Sequence, residues 1–226
     1  MSFLQTTVKS GWITDLVLPA PVGIQSPQDV IQAGHATALE MCTDPIFMAQ
    51  LNPLVQSVVE LPGSDPKAVD YKAMARTFNV DVDAGSSSSP VPGAAGRDDH
   101  HQYPWKHYAI TDKLTPLPGY TTELTYYAAI RRTADGMQAF TNAGSGVTIY
   151  GCFSVKVAEP SDVFALDASD GKGWVVNFIE TNELRCNLVL SYYIKATTDK
   201  SHRTAHARFK ELWRERMREK GFDCGG

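Results

Sequence analysis

Residues 188–220 read LVLSYYIKATTDKSHRTAHARFKELWRERMREK, with Asn187 ahead of them and Gly221 behind. A cap residue before the segment and a glycine after it mark one uninterrupted helix. At about 1.5 Å per residue that helix is on the order of 45 Å long, enough to cross a whole sheet. Its halves differ in chemistry. The first is apolar and small, with Leu190, Tyr193, Ile194, Ala196, Thr197, Ser201, Thr204 and Ala205. The second alternates charge signs around Phe209, Leu212, Trp213 and Met217, which is a solvated face with an anchoring stripe. Ala, Ser and Thr cannot fill the space a Leu would fill. A sheet wrapped around such a helix is therefore expected to leave an apolar cavity beneath the first half.

The residues upstream supply that sheet. Strand patterns are read at Leu54–Leu61, Tyr71–Val80, Lys106–Leu114, Thr121–Arg132, Met137–Ala143, Val147–Val157 and Trp174–Cys186. Asp135-Gly136 and the Leu-Pro-Gly-Tyr stretch at 117–120 are turn signals between strands, which makes the series a meander. Ahead of it, residues 11–24 suit a short strand stopped by Pro19 and Pro21. Ser26-Pro27-Gln28-Asp29 then has the order that opens a helix, continued by Ile31, His35, Ala38, Leu39 and Cys42. Asp44-Pro45 begins a shorter helix ending near Leu51. Residues 81–104 and 158–172, rich in Gly, Ser, Asp and Pro, read as surface insertions, and 221–226 as a tail. The expected fold is α+β, one domain over 1–226: a curved antiparallel sheet around a long terminal helix, with two short helices near the N-terminus.

Composition narrows the function. A chain of 226 residues with 43% hydrophobic content can bury a substantial core. A net charge of −4 offers no basic field for nucleic acid. No leader pattern and no run of about 18 apolar residues is found, so a cytoplasmic protein without membrane insertion is expected. Four scattered cysteines form no disulfide framework or zinc ribbon; Cys42, Cys152 and Cys186 are read as buried free thiols.

Several stretches carry a resemblance: Gln50-Leu-Asn-Pro-Leu-Val55, His107-Tyr-Ala-Ile-Thr-Asp-Lys113, Leu124-Thr-Tyr-Tyr-Ala128, and Arg185-Cys-Asn187 leading into the helix with Lys200 and His206. In this order they resemble the START-like (helix-grip, SRPBCC) superfamily, more narrowly a fungal branch of uncharacterised function, over roughly residues 15–215. The resemblance implies a helix-grip fold and cofactor-free handling of hydrophobic molecules. Such relatives bind sterols and lipids, carry hormones and alkaloids, or cyclise polyketides. It transfers no catalytic residue, because chemistry in the superfamily is so varied.

The residues suggest their own candidates. Thr122, Leu124, Tyr126, Ala128 and Ile130 share one strand face, expected to point inward. Tyr126 would then offer its phenol to a substrate carbonyl, or simply pack. His35, in the apolar stripe of the first helix, is a candidate general acid/base, or a satisfied core histidine. Glu180 at the polar end of the last strand is a candidate base with a pKa raised by desolvation, the alternative being a solvated sheet edge. Leu39, Tyr108, Leu124, Ala128, Phe153, Phe178, Tyr193, Thr197 and Ser201 are candidate substrate-binding residues. His202 and His206 have helix-ligand spacing, but no third ligand is evident, so no metal is expected. Asp98-Asp-His-His101 reads as a solvated cluster, and Gly144-Ser-Gly146 as a turn. Two functions follow. One is a cofactor-free cyclase, isomerase or dehydratase on a polyketide-like or terpenoid-like intermediate of secondary metabolism. The other is a non-catalytic lipid or metabolite carrier. A homodimer through the charged helix is compatible with both.

Overall fold

The chain enters at one edge of a sheet, crosses to the other edge, and returns strand by strand to where it began. The computed structural model describes residues 5–19, 26–82, 103–117, 119–158 and 174–222, with the side chains of 115–117, 120, 189–190, 193 and 195–198 outside that description. The elements run β1 (Gln5–Val17), α1 (Pro27–Cys42), α2 (Pro45–Gln50), β2 (Val55–Leu61), α3 (Tyr71–Phe78), β3 (Lys106–Leu117), β4 (Tyr120–Thr133), β5 (Gly136–Gly144), β6 (Val147–Val157), β7 (Val175–Asn187) and α4 (Leu188–Glu219). The seven strands form one sheet in the order β1-β7-β6-β5-β4-β3-β2. Every neighbouring pair is antiparallel. This α+β arrangement is compatible with a helix-grip fold.

Local chemistry sets the helix starts. Ser26 Oγ accepts from the Asp29 backbone N–H at 3.1 Å while Asp29 Oδ2 accepts from the Ser26 N–H at 3.1 Å, and Pro27 opens the first turn. Asp44 accepts from the N–H groups of Ile46 and Phe47 to start α2. Two expectations need correction. Tyr71–Val80 is not a strand: Asp70 caps it by accepting from Ala73 N–H, Asn79 ends it at φ 55°, and Met74, Ala75 and Phe78 bury one helical face. The first strand is longer than expected and starts at Gln5, because Val8, Ser10, Trp12, Thr14 and Leu16 keep strict alternation across the pleat.

The β5–β6 turn uses Ser145 and Gly146, both at positive φ (51° and 75°), as a two-residue hairpin of the primed kind requires. Gly136 serves a different purpose. It pairs with Thr133 across the β4–β5 hairpin, and a Cβ there would lie 2.0 Å from the Phe153 carbonyl oxygen. Gly136→Ala is therefore expected to destabilise by about 2 kcal/mol or more, since backbone and not a movable side chain must yield. A thermal melt checks this; an unchanged midpoint would mean that β6 gives way freely.

The inner face of the sheet packs against α1 and α4. Phe209, Trp213 and Met217, spaced by four on α4, are fully buried with Leu16, Met41, Val155, Val176 and Phe178. Each such side chain contributes about 1.5–3 kcal/mol by leaving water. Trp213 Nε1 donates to the Gly34 carbonyl at 3.1 Å, fixing α4 against α1. The outer face carries α3, whose Met74, Ala75 and Phe78 pack on Ala129 and Phe140. Cys42 and Cys186 are buried free thiols, whereas Cys152 is only half-buried. Most of the two expected insertions, and Cys224, lie outside the described residues. No helix among the described residues is long and apolar enough to cross a membrane.

Candidate functional site

Where the large anchors of α4 give way to Ala205, Ser201 and Ile194, a cavity of about 250 Å³ opens between the helix and the sheet. Ile110, Tyr126, Ala128, Ile130, Ala139 and Phe153 form its strand walls, and Met48, Ala49 and Leu51 close it from the α2 side. Alternation places Tyr126, Ala128 and Ile130 on one face of β4, so the inward face read from the sequence lines this space.

The polar wall comes from β7 and α4. Phe178, Glu180, Asn182 and Leu184 project inward from β7, and His202 and His206 come down from one face of α4 a single turn apart. Glu180 is 2% exposed and sits between them. His202 Nδ1 lies 2.7 Å from Oε1, and His206 Nε2 lies 2.9 Å from Oε2. The Asn182 side-chain amide donates to Oε1 at 2.6 Å. Gly151 is paired with Asn182, and a Cβ on it would meet the Asn182 Oδ1 at 2.7 Å, so the bare glycine leaves room for that amide.

Burial alone would push the Glu180 carboxyl up. The hydrogen bonds from His202 and His206, the electrostatic effect of the nearby His202 ring, and the Asn182 amide outweigh it and bring the pKa down to about 2. Glu180 is therefore an ionised acceptor, which fixes what surrounds it. Thr14 Oγ1 lies 2.7 Å from His206 Nδ1; in neutral His206 the Nε2–H donates to Glu180 and Nδ1 accepts from the Thr14 hydroxyl. Both His206 nitrogens are thus engaged. His202 commits only Nδ1, and no other hydrogen bond engages its ring among the described residues. Trp12 stacks on that ring at 4.3 Å between centroids and 7° between planes. In neutral His202, Nδ1 carries the proton and Nε2 keeps a lone pair; the residue lines the cavity and its side chain is 27% exposed. A carboxylate that accepts from an imidazole in this way fixes its tautomer and ring orientation.

The second polar feature is on the other side of the sheet's inner face. The Tyr126 hydroxyl donates to Asp112 Oδ1 at 3.3 Å. Asp112 is 8% exposed, and its burial raises its pKa against the opposing effect of that hydrogen bond. Burial, followed by the neighbouring Asp112 charge, pushes the Tyr126 phenol well above its ordinary value, so it remains neutral.

The structure redistributes the sequence candidates. Glu180, Tyr126, Ala128, Phe153, Phe178 and Ser201 line the cavity. Glu180 is not at a solvated edge, because β7 lies between β1 and β6, and its pKa is lowered instead of raised. Tyr126 does not hold its proton free for a carbonyl; Asp112 takes it. His35 and Leu39 are outside the cavity wall: α1 turns Ile31, Gly34, Ala38 and Met41 into the core, and at about 100° per residue His35 and Leu39 are rotated off that stripe. Tyr108 is buried but packs into the core beside Ile110 without lining the cavity. Leu124 is 41% exposed and lies beyond the cavity end of β4. The Tyr193 and Thr197 side chains lie outside the described residues. His202 and His206 have the spacing of helix metal ligands but suggest no metal site in the sequence; the structure gives them a shared strand carboxylate that each engages by a separate oxygen. No group of three His, Cys, Asp or Glu suited to a metal occurs among the described residues.

The sequence pattern of a domain of unknown function, DUF7053, matches residues 27–215. The chain belongs to the DUF7053 family. That span contains Tyr126, Asp112, Glu180, His202 and His206, while Trp12 and Thr14 of β1 fall outside it. No curated protein matches the chain.

Proposed function

We propose that the cavity receives a compact, largely apolar molecule and that His202, aimed by Glu180, moves a proton on it without a cofactor. The observation carrying this reading is an imidazole among the residues lining a mainly apolar cavity, its Nδ1 held at 2.7 Å by a buried carboxylate. His202 Nε2 would take a proton from a carbon next to a carbonyl. The C–H electron pair then forms the enolate, and the imidazolium returns the proton at the same or another carbon. Enolisation, isomerisation, aldol-type cyclisation and loss of water all begin this way, and none needs an oxidant. We further propose a helix-grip, START-like ancestry, from strand order and sequence resemblance, and a place among fungal secondary-metabolite enzymes of the cyclase, isomerase or dehydratase kind.

Size sharpens the reading. Sites for drug-sized ligands occupy about 300–1,000 Å³, and 250 Å³ is below that range. A one- or two-ring guest suits the cavity better than a sterol or long-chain lipid. The rival reading, a carrier without catalysis, draws on the same apolar wall and treats the His–Glu–His cluster as a clamp fixing α4 to β7.

Proton exchange separates the two. The chain incubated in D2O with 2-tetralone, a compact enolisable ketone, is expected to speed deuterium uptake at the α-carbons beyond an equal concentration of imidazole, followed by NMR. Uptake no faster than imidazole leaves the carrier. Ala128→Leu, which projects a larger side chain into the cavity, is expected to keep or raise the thermal midpoint while abolishing guest binding; retained binding would place the guest elsewhere.

A further inference from the structure

We propose that the natural guest carries a hydroxyl group and that this hydroxyl donates a hydrogen bond to the Tyr126 oxygen, with Asp112 as the positioning residue that turns Tyr126 into an acceptor. The inference rests on the cavity being the ligand site and specifies what the molecule presents there.

A phenol has one proton and two lone pairs. The Tyr126 hydroxyl donates to Asp112 Oδ1, 3.3 Å away, so its one proton is committed to that carboxyl oxygen. Tyr126 is one of the residues lining the cavity, and its phenol oxygen is left with lone-pair capacity and no proton to give. Around it the wall is apolar: Ile110, Ala128 and Ile130. A guest placing a carbonyl oxygen there would set acceptor against acceptor in a dry site, whereas a guest hydroxyl would complete the chain guest O–H to Tyr126 O–H to Asp112. Asp112 does not itself line the cavity, so it acts through Tyr126. The neutral state of the phenol fits this role, since burial holds Tyr126 protonated throughout the working range.

Both polar features then have distinct duties toward one small molecule. The His202 nitrogen accepts a proton during reaction, and the Tyr126 oxygen holds a hydroxyl in the ground state. For an enolisable substrate the acceptor at Tyr126 favours the enol over the ketone, because only the enol has a proton to donate.

Three guests of nearly equal shape test the assignment by calorimetry or displacement of a fluorescent apolar dye: naphthalene, with no polar group; quinoline, which only accepts; and 2-naphthol, which donates. The parent chain is expected to bind 2-naphthol about 5- to 10-fold more tightly than naphthalene, the effect of one hydrogen bond, and quinoline no more tightly than naphthalene. Tyr126→Phe should erase the 2-naphthol advantage, and His202→Phe should leave it. Asp112→Asn adds a control that a purely structural role would not satisfy. Its amide can donate to the phenol oxygen and free the phenol proton, so quinoline should gain on 2-naphthol. Equal binding of naphthalene and 2-naphthol by the parent, or a preference for quinoline, overturns the hydroxyl assignment while leaving the cavity as a ligand site. Failure of all three guests to bind overturns both.

Discussion

A Glu180→Gln chain is expected to melt about 6–12 °C below its parent, and the difference between them should shrink as the solution is acidified. The first part follows from leaving His202 and His206 without their anionic partner in a buried site, which costs about 3 kcal/mol; in a chain of this size each kcal/mol shifts the midpoint by roughly 2–4 °C. The second follows from the direction of the Glu180 shift. Its carboxyl falls from an ordinary value of 4.5 to about 2 in the folded chain. A lowered folded-state pKa contributes stability that is fully present above the unfolded value and is lost as pH falls through the folded one. The parent should therefore lose this contribution between about pH 4.5 and pH 2, and the glutamine variant has nothing to lose there. Melting both chains by circular dichroism across that range isolates the effect, since every other carboxylate is common to the two. Parallel profiles would mean that Glu180 is not ionised in the folded protein.

His202→Gln is expected to lower the rate of proton exchange into a bound ketone by about 10²–10⁴-fold, the usual contribution of a positioned general base. Glutamine can still hydrogen-bond Glu180, so folding and guest affinity should change little and the loss should fall on the rate constant and not on binding. His206→Gln should behave in the opposite way. Both nitrogens of His206 are engaged by Glu180 and Thr14, so its replacement should weaken the fold more than the exchange rate. Measuring rate and midpoint for both variants gives a crossed result that a general loss of structure would not produce. If the His202 variant exchanges at the parent rate, proton transfer resides elsewhere and the carrier reading gains.

Periodicity made most of the architecture legible. The small-residue half of α4 pointed to the cavity, and the anchors Phe209, Trp213 and Met217 occupy the buried stripe assigned to them. Residues 71–80 misled because Tyr, Thr, Phe and Val favour strands, while the decisive signals, Asp70 as cap and Asn79 at the end, lie outside the apolar pattern. The candidate site was legible in part. Tyr126 and Glu180 follow from alternation along β4 and β7, but the direction of the Glu180 pKa does not, since it depends on two histidines 22 and 26 residues away. His202 and His206 were visible as a one-turn pair. Spacing within a helix shows that two side chains share a face, but not whether that face meets a metal, water or a carboxylate. Glu180, in phase with Val176, Phe178 and Leu184 on the inner face, was the available clue. His35 failed because the stripe of α1 was phased through it, when close packing of α4 required Gly34 to face inward instead.

Among the described residues β1 has β7 as its one sheet neighbour, with Gln5 opposite Asn187. A nascent chain on the ribosome must therefore hold β1 without its mate while β2 to β6 emerge. Trp12 and Thr14 meet His202 and His206 only after that late closure. Such a long-separation contact slows folding and prolongs exposure of an open strand edge to aggregation and to chaperones.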